Sequence, residues 1–190
     1  MIIGIFIGGA FSCSNKKQTE SDAIVLDSLM TTFTALSDSV DRNWAIMIAD
    51  DDDKHILMKR LLLEVSYTNN YDKDRFLELT NMVDKLKAIR YDQESMRNSS
   101  LIDAYDSATF ELADQIILFA RSHPRYEDFP LMAELIDDIN AKNNYILIHR
   151  IHYDNWVKEL NSFKQSNQEL LKGSDSGIGI ETMPLFELPS

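Results

Sequence analysis

Apolar side chains recur at steps of three and four along most of this chain. From residue 23 the set Val25, Leu29, Phe33, Leu36, Val40, Trp44, Met47 and Ile48 marks one face of a helix. Ser21 or Asp22 stands where an N-cap side chain is expected. Asp50 to Asp53 interrupt the pattern. Four adjacent carboxylates repel one another at a helix C-terminus and suit the first turn of a following helix. The run therefore predicts a turn or a strained continuation, with a second helix beginning near Asp53. Ile56, Leu57, Leu61, Leu62, Val65 and Tyr67 extend the apolar set to Asn69-Asn70, a break that Asn favours because it tolerates the left-handed cap conformation. Residues 72–92 carry Phe76, Leu79, Met82, Val83, Leu86 and Ile89. A softer break falls at Asn98-Ser99-Ser100. Leu101, Ile102, Tyr105, Ala108, Leu112, Ile116 and Phe119 then run to Arg121.

Pro124 and Pro130 bracket a loop, and a last helix is expected from about Leu131 to Leu171. Met132, Ile139, Ile146, Tyr153 and Leu160 recur at sevens, a coiled-coil-like seam. The complementary positions are Ile136, Asn143, Arg150 and Val157, so the middle of the seam is polar. Four long helical segments folded back on one another predict an all-α fold, an elongated antiparallel four-helix bundle over residues 23–171. Residues 14–22 read as a polar tether and 172–190 as a flexible tail. That tail ends with Met183-Pro184-Leu185-Phe186-Glu187-Leu188, more apolar than a solvated tail requires. It is either a segment docked on the chain's own bundle or a short partner-recognition peptide.

Composition sharpens the exclusions. The 190 residues hold six glycines, none between residues 10 and 172, and no proline precedes Pro124. Phosphate-binding loops, dinucleotide fingerprints and tight hairpins need glycine at set backbone positions. A P-loop enzyme, a Rossmann domain and an ordinary β-sandwich are thereby excluded. The net charge of -12 opposes nucleic-acid binding, which needs clustered Lys and Arg.

The single cysteine, Cys13, follows an apolar run, Ile2 to Phe11, and precedes the polar Ser14-Asn15-Lys16-Lys17. Ten residues span about 15 Å as a helix, too short for a hydrocarbon core of about 30 Å. The run suits a signal-peptide hydrophobic region. Together with Cys13 it resembles a bacterial lipobox, although Ala10 and Phe11 occupy positions where Leu and a small residue are usual. Residues 1–13 are thus expected to be a leader or membrane-anchoring segment. Cys13 is the expected lipidation site, with two acyl chains anchoring where one does not.

The last helix carries a family resemblance. His123-Pro124-Arg125-Tyr126 takes the place of a Tyr-Pro loop, and Asn144, Arg150, Tyr153, Asp154, Val157 and Asn161 follow at matching spacing. Val40 and Trp44 upstream, and Pro184, Leu185, Phe186 and Glu187 at the tail, fit the same pattern. The chain resembles the LemA family, bacterial envelope proteins with an N-terminal membrane anchor and an elongated helical bundle. The likeness spans most of residues 36–187 and is specific in the last helix and tail. His123 stands where the family has Tyr, Asn143 where it has Glu, and Asp154 where it has Asn. The resemblance implies a place and a shape and no established enzymatic activity.

Candidate chemistry is sparse. His149 and His152 lie three apart on one helix and could supply two zinc ligands, but the chain offers no suitable remainder, so no metal and no cofactor are expected. Asp50 to Asp53 lack the alternating ligands and glycine turn of a calcium loop and read as a solvated acidic corner. Asn143, Asn144, Arg150, Tyr153, Asp154 and Asn161 form a polar stripe, with Arg150 and Asp154 spaced as an i, i+4 ion pair. Such a layer sets helix register or forms a ligand-reading groove. Trp44 and Trp156 are expected at helix crossings. The expectation is a membrane-anchored, non-enzymatic scaffold or interaction protein of the bacterial cell envelope, in the periplasm or exposed outside the cell. Its partners would be membrane lipid, through the N-terminal anchor, and an envelope protein. The alternative is a small-ligand- or metal-binding lipoprotein that uses the polar stripe.

Overall fold

The computed structural model describes residues 13–173 and 178–186, with side chains from residue 23 onward. The leader, residues 1–12, and Glu187 lie outside this set, as does the side chain of Cys13. Among the described residues the chain is all-α: α1 (Cys13–Ser66), α2 (Lys73–Ile89), α3 (Ser99–Arg121), α4 (Pro130–Ser166) and α5 (Gln168–Gly173), with short 3₁₀ turns before α3 and α4. It forms a helical bundle and contains no strand among these residues.

The chain divides into two compact units. One joins the residues up to Asp38 to Glu159–Thr182, and the other comprises Ser39–Lys158 and the residues from Met183. In the first, Lys164 is buried, its ammonium 5.9 Å from the centre of the Phe33 ring and donating to the Glu181 carbonyl at 3.1 Å. In the second, four helical segments enclose a core that includes Val40, Met47, Met58, Leu62, Val65, Leu79, Val83, Leu112, Ile116, Met132 and Ile139.

Three expected boundaries move. The last helix, expected to reach about Leu171, stops at Ser166, and the short α5 follows from Gln168. α1 is already formed at Cys13, so neither a tether over 14–22 nor a start at Ser21 or Asp22 is observed. Asp50 to Asp53 make no turn, because α1 runs unbroken through them. The reason is neutralisation. Asp50 meets Lys142 and His149, Asp52 meets Lys87 and Arg90, Asp53 meets Lys142, and Asp51 faces inward. With a cation against each carboxylate, the repulsion that would end a helix here is cancelled.

The remaining breaks carry local chemistry. α1 ends before Asn69, which adopts the left-handed conformation at φ 61°. Asp72 caps α2 by accepting from the Arg75 amide at 3.0 Å, and Asn98 caps α3 through the Ser100 amide. Pro130 opens α4 at the first helical position, where its missing N–H costs nothing. His123 ties two connections together. Its Nδ1 accepts from the Arg125 amide at 3.1 Å, so Nε2 carries the proton and donates to the Asn70 carbonyl at 2.7 Å, beside the Thr68 hydroxyl.

The heptad seam of α4 is buried throughout: Met132, Ile139, Ile146, Tyr153 and Leu160, with Ile136, Arg150 and Val157 beside it. Elsewhere the sequence pattern misassigns single positions. Ile56, Tyr67 and Ile89 point outward, while Lys54, His55, Tyr91 and Met96 are buried. Trp156, expected at a helix crossing, is exposed.

Candidate ligand cavity

Asp51 lies on the buried face of α1, four residues after Met47 and seven before Met58, and is 5% exposed. That helical spacing carries a carboxylate into the core. Lys54, 6% exposed, and His55 share the face. Burying a charge this deeply is costly unless it is paired, and Asp51 is paired on several sides. It accepts from the Tyr105 hydroxyl of α3 and from Arg90, just past α2, at 3.1 Å. The Lys54 ammonium sits 3.7 Å away and donates to the Asn143 side chain of α4 at 3.3 Å. His55 Nε2 lies 3.2 Å from the Tyr105 hydroxyl.

A second cluster is centred on Arg150. Its guanidinium donates to both oxygens of Asp106 at 2.6 Å and to the Tyr91 hydroxyl at 2.8 Å. The bidentate fork is the strong form of this contact. The predicted Arg150–Asp154 pair is not formed. Asp154 instead accepts from the Phe186 amide at 2.9 Å, and the Arg150 guanidinium lies 4.8 Å from the centre of the Phe186 ring.

Burial and pairing shift the titrations. Burial lowers the Lys54 ammonium below its ordinary value, with Asp51 and Asp106 offsetting part of the effect. Burial likewise lowers His55, against the opposing pull of Asp51. It pushes the Tyr91 and Tyr105 phenols well up and Tyr153 up to about 12. It raises Asp154, despite the Phe186 amide. At Arg90 and Arg150 burial opposes the charge, but the hydrogen bonds of Asp52 and Asp51, and of Asp106, outweigh it and raise both.

Between the two clusters lies a cavity of about 280 Å³. Asp51, Lys54, Arg90, Asp106, Asn143 and Arg150 supply its polar lining, with the rings of Tyr91 and Tyr105. Met47, Ile48, Phe110, Ile146 and Leu147 make an apolar wall.

Of the predicted polar stripe, Asn143 and Arg150 line this cavity. Tyr153 is fully buried beside it in an aromatic group with Trp44, Tyr91 and Phe186. Asn144 is exposed, and Asn161 is half-buried in the other unit. The structure brings Phe186 to this group, while Pro184 and Leu185 are half-buried. No cluster of metal-ligating side chains occurs among the described residues. His149 pairs with Asp50 at 2.9 Å, and His152 is exposed. Asp51, expected in a solvated acidic corner, is buried instead because it turns inward onto Arg90 and Tyr105, a residue expected only on an apolar face; Lys54, Arg90 and Asp106 were not expected at a site. The available signal was Asp51 and Lys54 at the helical spacing of the apolar stripe, obscured by the acidic run around them.

His55 is expected to give the unit a pH response. Its folded-state titration lies below the ordinary value of 6.5, so the unfolded chain binds more protons once pH drops below that value. The contribution is complete above about pH 6.5 and is lost as pH falls toward the folded-state value. Urea unfolding at about pH 7.5 and about pH 5.5 is expected to show lower stability at the acid end, and a smaller loss in His55→Gln. An identical loss in the variant would remove His55 as the source.

No protein-family model, curated protein or solved structure gives a significant match to this chain. No helix among the described residues is long and apolar enough to cross a membrane.

Proposed function

We propose that this chain is a membrane-anchored, LemA-like protein of the bacterial cell envelope whose helical unit binds a small ligand without transforming it. The observation that carries the binding role is the cavity at Arg150, where polar groups from α1, α3, α4 and the segment just past α2 converge on an apolar wall. Its acids and bases are held in ion pairs and hydrogen bonds, an arrangement suited to holding a ligand more than to passing protons. The apolar run before Cys13 supports the anchor.

Two measurements test this. Native mass spectrometry of protein extracted from membranes is expected to show a co-purifying small molecule, and the bare chain mass alone counts against the binding role. Cys13→Ala is expected to leave the membrane fraction, and retention there sinks the lipid anchor.

A scaffold role is the second reading. It is favoured by Tyr145, Ile148 and Ile151 of α4, all exposed. Crosslinking in intact envelopes tests it, with loss of a specific adduct in Ile148→Asp as the expected result.

A further inference from the structure

We propose that the cavity takes a small organic monocarboxylate, its carboxylate on the Lys54 ammonium and its hydrocarbon body against the wall of Met47, Ile48 and Ile146. This rests on the ligand-binding role above and names the ligand's chemistry.

The spare hydrogen-bonding capacity of the lining lies mainly with donors, the Lys54 ammonium and the buried, unpartnered Arg150 Nε, against one Asp51 oxygen that has only Lys54 near it at 3.7 Å. Both oxygens of Asp106 are engaged by Arg150. One Asp51 oxygen accepts from Tyr105 and Arg90, and the other faces Lys54. The Lys54 ammonium has three protons. It makes one long hydrogen bond, to Asn143 at 3.3 Å, and its carboxylate neighbour at 3.7 Å is beyond hydrogen-bond reach. A ligand that completes this group must bring acceptor oxygens.

Charge points the same way. Among the side chains that line the cavity, Lys54, Arg90 and Arg150 face Asp51 and Asp106. One positive charge is left over, in a chain whose net charge is -12. A monoanion neutralises it, whereas an organic cation would meet three positive groups in a poorly screened site. Size and wall chemistry set the rest. At about 280 Å³ the space falls just below the roughly 300–1,000 Å³ of drug-sized sites, and its apolar wall calls for a hydrocarbon body.

The test compares three probes of one shape on the full chain in phospholipid nanodiscs, with empty discs as the calorimetric blank: benzoate, benzyl alcohol and benzylammonium. Benzoate is expected to bind about tenfold or more tighter than benzyl alcohol, the worth of a charge-assisted hydrogen bond, and benzylammonium not to bind measurably. Lys54→Met, its folding checked by far-UV circular dichroism, is expected to bring benzoate down to the affinity of benzyl alcohol, and a benzoate preference retained in the folded variant overturns the assignment to Lys54. If that variant does not fold, the ranking of the three probes on the native chain decides alone. Equal affinity for benzoate and benzyl alcohol overturns the carboxylate assignment and leaves a ligand cavity standing. Absence of heat from all three at millimolar concentration overturns both.

Discussion

Asp51→Leu is expected to lower the unfolding free energy by about 3–5 kcal/mol. The change removes the one carboxylate that faces Lys54, Arg90, His55 and the Tyr105 hydroxyl together. Arg90 keeps Asp52. Lys54, 6% exposed, keeps one hydrogen bond, to the Asn143 side chain, and only the more distant charge of Asp106. An uncompensated buried charge is the expensive product of such a substitution, more than the lost attraction itself. Arg150→Leu is the control. It orphans Asp106, but that side chain is 41% exposed and rehydrates, so the expected loss is about 1–3 kcal/mol. The double change Asp51→Leu with Lys54→Met is expected to recover much of the larger loss, since replacing both members of a buried pair by apolar groups is often close to neutral. Urea unfolding followed by far-UV circular dichroism measures all three. Equal losses for Asp51→Leu and Arg150→Leu would remove Asp51 from the centre of this network.

Phe186→Ala is the second large effect, an expected loss of about 3–5 kcal/mol. A residue this near the chain end ordinarily contributes little. Here the ring is 4% exposed and closes an aromatic group. It stacks on Trp44 at 6.2 Å between centroids, meets Tyr91 and Tyr153 edge-on at 5.9 and 5.6 Å, and lies under the Arg150 guanidinium. Its backbone amide supplies the hydrogen bond to the buried Asp154 carboxylate. Truncation leaves a cavity and lets water reach that carboxylate. For a chain of this size the loss corresponds to a fall of roughly 10 °C in melting temperature. Trp44 fluorescence is expected to shift red, as its stacking partner is gone. Leu185→Ala, at a half-buried position, is expected to cost far less. A melting temperature unchanged in Phe186→Ala would mean that the tail does not seat in solution.

Much of the architecture was legible from periodicity. The α4 seam at steps of seven, the break at Asn69, the loop before Pro130 and the absence of strands among the described residues follow from local rules about spacing, left-handed caps and proline. Arg150 also stood out, because a guanidinium on an apolar seam is anomalous whatever surrounds it. Its partner was misjudged. Asp154 is close along the helix, but Asp106 is 44 residues away and becomes adjacent only when α3 packs on α4. Asn144 was misplaced for a related reason: at one step past Asn143 the helix has turned about 100°, enough to carry the side chain into solvent.

The sequence by itself determined the helices, the glycine-free span that holds them, the seam of α4 and the anomaly of a charge within that seam, since each depends on neighbours within a few turns. The fate of the acidic run depended on the tertiary structure. Read locally, Asp50 to Asp53 predict repulsion and a break. In the fold, Lys87, Arg90, Lys142 and His149 arrive from other segments, and the helix continues. The same packing turns Asp51 inward, sets Lys54 against Asn143, and leaves between them and Arg150 a cavity that no stretch of the chain specifies alone. Pairing of charges distant in sequence is a long-range effect, invisible to any window of a few turns.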